Sequence, residues 1–179
     1  PLASGNKLGA FSLSEPQSGS DASNMNTQAR KEGNHYIING IKNWVTNGIH
    51  ANYVLLFAVT TPGIGHNGIS CFLVEKGLDG FQIGKPENKL GIRASDTCEL
   101  YFDNVKVPVE NLIGKEGEGF KIALATLDGG RIGIASQAVG IAQASLDASI
   151  TYSKNRVQFG KPISENQAIQ YKIADMAME

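Results

Sequence analysis

Apolar and polar positions change rhythm once along the chain. Up to about Val109, apolar residues come in short runs rich in β-branched and aromatic types, punctuated by Gly, Pro, Asn and Ser. Leu8–Leu13, Met25–Arg30, Tyr53–Thr60, Ile69–Val74 and Thr97–Phe102 are the runs that predict strands. The stretch "HYIINGIKNWVTNG" (His35–Gly48) holds Asn39-Gly40 between two β-favouring arms. Asn-Gly accepts the positive φ of a type I′ turn, so a hairpin turning at Asn39-Gly40 is predicted. Many short strands with such punctuation predict an antiparallel sandwich or barrel.

The texture changes around Pro108–Gly119. From Gly119 onward Phe120, Leu124, Leu127, Ile134, Ala138, Ile141, Leu146 and Ile150 recur at helical spacing. Phe159-Gly160-Lys161-Pro162 breaks the pattern. "SENQ" (Ser164–Gln167) then fits a capping box, with Ser164 as the cap and Gln167 reaching back. It opens a second helix with Ile169, Ile173 and Met176 inward. Gly129, Gly130, Gly133 and Gly140 interrupt the long helix, and each costs about 1 kcal/mol relative to Ala. Close helix packing would explain them. So would a ligand lying against the backbone near Arg131, the only cation between Lys121 and Lys154. Asp128 offers Arg131 a simpler fate, an ion pair.

Composition narrows the class. With 179 residues, 41% hydrophobic and 18% charged, the chain is long and apolar enough to bury a core. A net charge of −1, with basic residues scattered singly, argues against a nucleic-acid surface. Cys71 and Cys98 fall in separate strand-like runs and read as buried free thiols. His35, His50 and His66 each stand alone, so no metal site is expected. No signal segment is visible, and the longest apolar run, Tyr53–Val59, is far short of the roughly 20 residues of a membrane span. The chain starts at Pro1 without Met and stops inside a helical pattern, which leads us to expect a piece of something longer.

Generic catalytic motifs are absent. There is no G-x-x-x-x-G-K-S/T loop, and Gly114, Gly117 and Gly119 have the wrong spacing for a dinucleotide fingerprint. "GIASQ" (Gly133–Gln137) lacks the final Gly of a nucleophile elbow. Two stretches do carry possible chemistry. In "NWVTNG" (Asn43–Gly48), the only tryptophan, Trp44, precedes Thr46 by two residues, so a strand points both to one face. An indole and a hydroxyl together could hold a planar heteroaromatic ring. A core Trp beside a surface Thr is the plainer reading. "SLSEPQSGSD" (Ser12–Asp21) is either a Ser-rich turn or a cradle of small donors.

Taken together, these stretches resemble the acyl-CoA dehydrogenase family. "GAFSLSEPQSGSD" is similar to its flavin-binding segment, an aromatic followed by S/T-E-P-x-x-G-S-D. "NGIKNWVTNG" is similar to its N-G-x-K-x-W-I/V-T-N hairpin. "KLGIRASDTCELYFDNVKVP" (Lys89–Pro108) resembles the segment before its last strands. "GRIGIASQAVGIAQASLDASITYSKNRVQFGKPI" resembles the first long helix of its C-terminal bundle and the turn after it. The motifs follow the family's order over nearly the whole chain, and "TLDGGRIGIASQ" is nearest to the short-chain, butyryl-CoA branch.

The resemblance implies a fold that is β then α. A middle β-barrel or sandwich domain would span residues 1–108, and the start of an incomplete C-terminal helical bundle residues 109–179. It implies FAD as cofactor, a short- or medium-chain acyl-CoA as substrate and trans-2-enoyl-CoA as product. The main chain around Phe11, Leu13 and Ser14 would bond the isoalloxazine, and Ser20 would sit near pyrophosphate and CoA. Trp44, Val45 and Thr46 would flank the ring, with Thr46 at flavin N5. Asp128, Gly129, Gly130 and Arg131 would line the substrate. Arg156, Phe159 and Gln167 would reach the FAD of a neighbouring subunit, which implies a homotetramer or dimer. An electron-transferring flavoprotein is the implied acceptor. The implied location is the cytoplasm of a bacterium or the mitochondrial matrix of a eukaryote, with no membrane partner.

In the family a glutamate removes the α-proton while the flavin accepts the β-hydrogen, and donors to the thioester carbonyl stabilise the enolate-like charge. That glutamate has no counterpart here and is expected beyond residue 179. In the isovaleryl and long-chain branches it directly precedes the position of Arg131, where this chain has Gly130. Glu15, Glu99, Glu116 and Glu118 read as surface charges. The 179-residue chain alone is therefore expected to lack dehydrogenase activity and to bind FAD weakly. An acyl-CoA oxidase or a flavin monooxygenase on the same scaffold, and a non-enzymatic β-sandwich binding module, are the competing readings.

Overall fold

The computed structural model describes all 179 residues. They form two compact units, Pro1–Ala125 and Thr126–Glu179.

The first unit is built on eight strands: β1 (Gly9–Ser12), β2 (Gln28–Glu32), β3 (His35–Thr46), β4 (Tyr53–Val59), β5 (Ile69–Glu75), β6 (Phe81–Pro86), β7 (Thr97–Pro108) and β8 (Leu112–Ile113). Their order is β6-β7-β3-β2-β4-β5-β8, with β1 pairing parallel to β4. Two antiparallel halves are thus joined where β2 meets β4, through the parallel pairing of Gln28 with Val59. Both halves turn apolar residues toward one core: Tyr36, Ile38 and Val45 from β3, Val54 and Leu56 from β4, Phe72 and Val74 from β5, Leu100, Val105 and Val107 from β7. The expected barrel is corrected in one respect. The sheet curls around its core but does not close, because β6 and β8 remain its edges. β6 was not visible as a strand, since Gly84 and Pro86 mask its pattern.

The predicted turn at Asn39-Gly40 is also corrected. His35–Thr46 is one strand, and the hairpin turns earlier, at Gly33-Asn34 between β2 and β3. Asn39 instead lies opposite a bulge in β7, where two steps from Ile38 to Gly40 match three from Val105 to Phe102. Asn39 Oδ1 accepts from the Asn104 amide at 2.8 Å, and Asn104 itself has φ +54. A Cβ on Gly40 would lie 2.3 Å from Thr27 Oγ1, so close packing on the Thr27 backbone, not a turn, requires the glycine.

Helix α1 (Gly119–Asn155) starts in the first unit and continues into the second. Its start is fastened to β5: Gly117 N–H donates to Ser70 Oγ at 3.0 Å, and Gly119 passes too close to the Ser70 backbone for any side chain. In the second unit, β9 (Val157–Gln158) and β10 (Lys161–Pro162) form a small hairpin, followed by α2 (Gln167–Met178). The capping box does not form. Asn166 is the cap of α2 and makes no side-chain cap bond, while Gln167 Nε2 donates to Tyr171 Oη at 2.6 Å. Ser164 lies in a separate tight turn, Ile163–Glu165, too early to serve as the cap. The inward face predicted for α1 is only partly covered. Leu127, Leu146 and Ile150 are half-buried, whereas Ile134 and Ile141 are exposed, as is Met176 of α2. No helix is long and apolar enough to cross a membrane.

Candidate functional site

The site is built where the chain leaves β1 and passes the end of β3. "SLSEPQSGSD" is not a bare surface turn: Ser12, Leu13, Glu15 and Ser18 are buried. Glu15 and Ser18 exchange backbone hydrogen bonds of 2.8 and 3.1 Å across Pro16-Gln17, and Ser18 Oγ donates to the Asp21 carbonyl at 2.7 Å. Ser14, half-buried, accepts at its carbonyl from the Asn43 amide at 2.8 Å. That bond ties the serine-rich segment to β3 one residue before Trp44.

β3 itself carries a bulge here. Lys42 pairs with Leu100 and Val45 with Cys98, so three steps along β3 match two along β7. Lys42 and Val45 both face inward and are essentially buried, although an odd spacing puts residues of a regular strand on opposite faces. The extra residue reconciles the two. Its geometric cost falls on Trp44, which takes φ +59 and leaves 63% of its surface exposed. Thr46 is exposed as well, with Val45 buried between them. The tryptophan is therefore not a core residue. An exposed indole held in a sparsely populated backbone conformation marks a position fixed by its surroundings. Phe11 is half-buried, its ring 5.1 Å from that of Phe57.

Beneath this edge lies the feature that sequence reasoning missed. Glu15 is not a surface charge; it forms a buried ion pair with Lys42, Nζ to Oε1 at 2.7 Å. Lys42 Nζ also donates to the Leu13 carbonyl at 3.0 Å. The second carboxylate oxygen accepts from the Asn26 amide at 2.6 Å and Gln17 Nε2 at 2.7 Å, and the first also from the Thr27 amide at 3.0 Å. Burial pushes Lys42 down to about 8, against the opposing pull of Glu15. Burial alone would raise Glu15, but the Lys42 charge and the hydrogen bonds together hold it below the ordinary carboxyl range. A signal was available: Tyr36, Ile38, Gly40 and Lys42 share one face of β3 by period two. A lysine continuing a buried face must find a partner.

The other glutamates are engaged differently. Glu116 accepts from Tyr36 Oη and Glu99 from Tyr101 Oη, while Glu118 accepts from the Lys115 amide at 2.9 Å. Burial, then Glu116, pushes Tyr36 up to about 12. Both cysteines are buried free thiols, raised by burial to about 12 for Cys71 and about 11 for Cys98. No group of three or more His, Cys, Asp or Glu side chains is arranged to hold a metal.

The remaining candidates are exposed. Ser20 is exposed on the first unit. Asp128, Gly129, Gly130 and Arg131 lie on α1 in the second, where Arg131 Nη1 donates to Asp128 Oδ1 at 2.8 Å in an exposed pair. No atom outside the helix crowds Gly129, Gly130, Gly133 or Gly140, so close packing does not account for them within this chain. Arg156 and Gln167 are exposed, and Phe159 is fully so. Phe159 (φ +53) and Gly160 (φ +77) form the β9–β10 turn, a type I′ geometry that strains the phenylalanine.

An exposed aromatic thus stands beside main-chain groups fixed by hydrogen bonds. The sequence matches the acyl-CoA dehydrogenase middle domain over residues 10–105 and the acyl-CoA dehydrogenase C-terminal domain over residues 117–179. It is 56% identical over 176 residues to an acyl-CoA dehydrogenase of Bacillus subtilis, covering 98% of this chain and 46% of that protein. It is 52% identical over 178 residues to the mitochondrial short-chain specific acyl-CoA dehydrogenase of Rattus norvegicus, covering 99% and 43%. The structure superposes on butyryl-CoA dehydrogenase from Megasphaera elsdenii with a TM-score of 0.96 at 53% identity, covering 99% of this chain and 47% of that one. The chain spans about half the length of the curated relatives it matches. Motif order, two adjoining domain matches and close structural superposition together place this chain in the acyl-CoA dehydrogenase family.

Proposed function

We propose that the chain is part of an FAD-dependent acyl-CoA dehydrogenase that converts short- or medium-chain acyl-CoA to trans-2-enoyl-CoA. The observation that carries this reading is the Asn43–Ser14 hydrogen bond, which sets the serine-rich segment beside an exposed, outward-turned Trp44. The residues present fit a flavin. No acceptor in the chain engages the Ser14 N–H, so a donor is free at the edge. Trp44 can cover a ring face, and the Thr46 hydroxyl can bond the ring's rim. Main-chain groups of Phe11, Leu13 and Ser14 would orient the isoalloxazine, and Ser20 would serve the pyrophosphate and the CoA. Bound FAD would supply the two-electron acceptor that no side chain provides.

Asp128–Arg131 would line the acyl-CoA, the glycines letting the ligand approach the helix backbone. Arg156 offers a planar fork of donors suited to a pyrophosphate. With Phe159 and Gln167 it would serve the FAD of a neighbouring subunit in a dimer or tetramer. The base that removes the α-proton would come from a part of the protein outside these residues, with an electron-transferring flavoprotein as acceptor. The protein would work in a bacterial cytoplasm or a mitochondrial matrix. The test is an absorption spectrum of the full-length protein, mixed anaerobically with butyryl-CoA. Flavin bands that bleach support the reading. Absence of flavin even after FAD is supplied would overturn it.

A further inference from the structure

We propose that the buried Lys42–Glu15 pair is a positioning device that presents the Ser14 amide to the flavin. The inference rests on the flavin reading of the same edge and assigns a role to two buried side chains that would not themselves contact the flavin. Lys42 Nζ holds the Leu13 carbonyl at 3.0 Å, on the protein side of the segment. The Leu13–Ser14 peptide is trans, so its N–H points opposite to its C=O. Fixing that carbonyl inward therefore turns the Ser14 N–H away from Lys42, and the chain offers it no acceptor. The next peptide is locked in turn: the Ser14 carbonyl takes the Asn43 amide and the Glu15 amide gives to Ser18.

One side chain thus governs both arms of the site. Lys42 immediately precedes the bulge that throws Trp44 outward, and its head group grips the segment that carries Ser14. Glu15 keeps that head group in place and is itself anchored by the amides of Asn26 and Thr27, residues outside the proposed flavin contacts. A buried ammonium needs acceptors for all its protons in any role; here the acceptor is the carbonyl of the very peptide that carries the Ser14 N–H. A donor aimed beforehand loses less freedom on binding.

Hydrogen–deuterium exchange of the full-length apoprotein, with and without FAD, tests this in the wild-type sequence. FAD is expected to slow exchange at 13–15 and 43–46 and also at 24–28, by about fivefold or more. Slowing at the first two segments with 24–28 unchanged would overturn the positioning role while leaving the flavin reading intact. No slowing anywhere would remove the flavin reading itself. A second measurement uses the double variant Lys42→Met/Glu15→Gln, which leaves no lone buried charge. Its FAD Kd is expected to rise roughly tenfold, about 1.4 kcal/mol, and the bound flavin band to lose its resolved shoulders. A folded double variant with the wild-type Kd and spectrum would overturn the proposal.

Discussion

The two units handle apolar residues in opposite ways. In the first, Ile38, Leu56, Phe72, Leu100 and Val105 are completely buried. In the second, Ile132, Ile134, Val139 and Ile141 of α1 stand largely in the open. Ile132 and Ile134 point about 200° apart around a helix, Val139 falls close to the first and Ile141 close to the second, so the exposed apolar surface forms two stripes on opposite sides of α1. Such a helix suits an environment that covers both sides. A strand's alternation finds its complement in another strand of the same chain, whereas helical spacing states only that something must cover the helix. The first unit is therefore a self-contained packing problem, and the second is not.

The largest expected effect breaks the comparison at the buried pair. Lys42→Met or Glu15→Gln alone leaves an uncompensated charge inside the first unit and is expected to cost about 3–5 kcal/mol. Denaturant unfolding monitored at both units should show the loss in the first. The double variant should recover most of it. Glycines sharpen the contrast next. Gly40→Ala places a methyl group 2.3 Å from Thr27 Oγ1 and 2.7 Å from Thr27 Cα, at φ +155, and is expected to destabilise by about 1–3 kcal/mol. Gly133→Ala meets nothing within 4 Å and is expected to stabilise α1 by about 1 kcal/mol. Thermal melts of the two variants should shift in opposite directions.

A smaller, graded effect comes from acid. The folded Glu15 carboxyl titrates below its ordinary 4.5. As pH falls the unfolded chain takes up that proton first, so the pair's stabilisation is complete above about pH 5 and fades as pH drops through the folded value. Unfolding free energies measured between pH 6 and 3 should therefore fall less steeply in Glu15→Gln, which has no carboxyl to protonate.

Much of this was legible in the residues. The five sequence-predicted strands all appear, four with ends within three residues of their runs and the fifth, begun at Thr97, continuing to Pro108, because β-branched and aromatic runs suit the pleat. Asn39-Gly40 misled because Gly40 serves the close approach of Thr27 and Asn39 caps the bulged Asn104 across the sheet, contacts that nothing local in the sequence announces. The capping box failed for another reason: Ser164 and Gln167 have the right spacing, but the helix starts at Gln167 with Asn166 as its cap. Trp44 and Thr46 were expected on one face, but the plainer reading made Trp44 a core residue; it is exposed, and the bulge that turns it out was invisible. Lys42 could have been found by counting from Tyr36 in twos. Its partner could not, because nothing local links residue 15 to residue 42. The open sheet was likewise hidden, since the parallel pairings of β4 with β1 and β2 join segments distant in sequence.

The account stands on Trp44 and the serine-rich segment forming one flavin edge. The direct measurement is the Trp44 emission of the full-length apoprotein during FAD titration, taken as the difference between the wild type and Trp44→Phe. The account predicts that this component is quenched in step with FAD binding, as a ring stacked beside the indole requires, and that Trp44→Phe binds FAD more weakly. Saturable FAD binding that leaves the Trp44 component unchanged would contradict it.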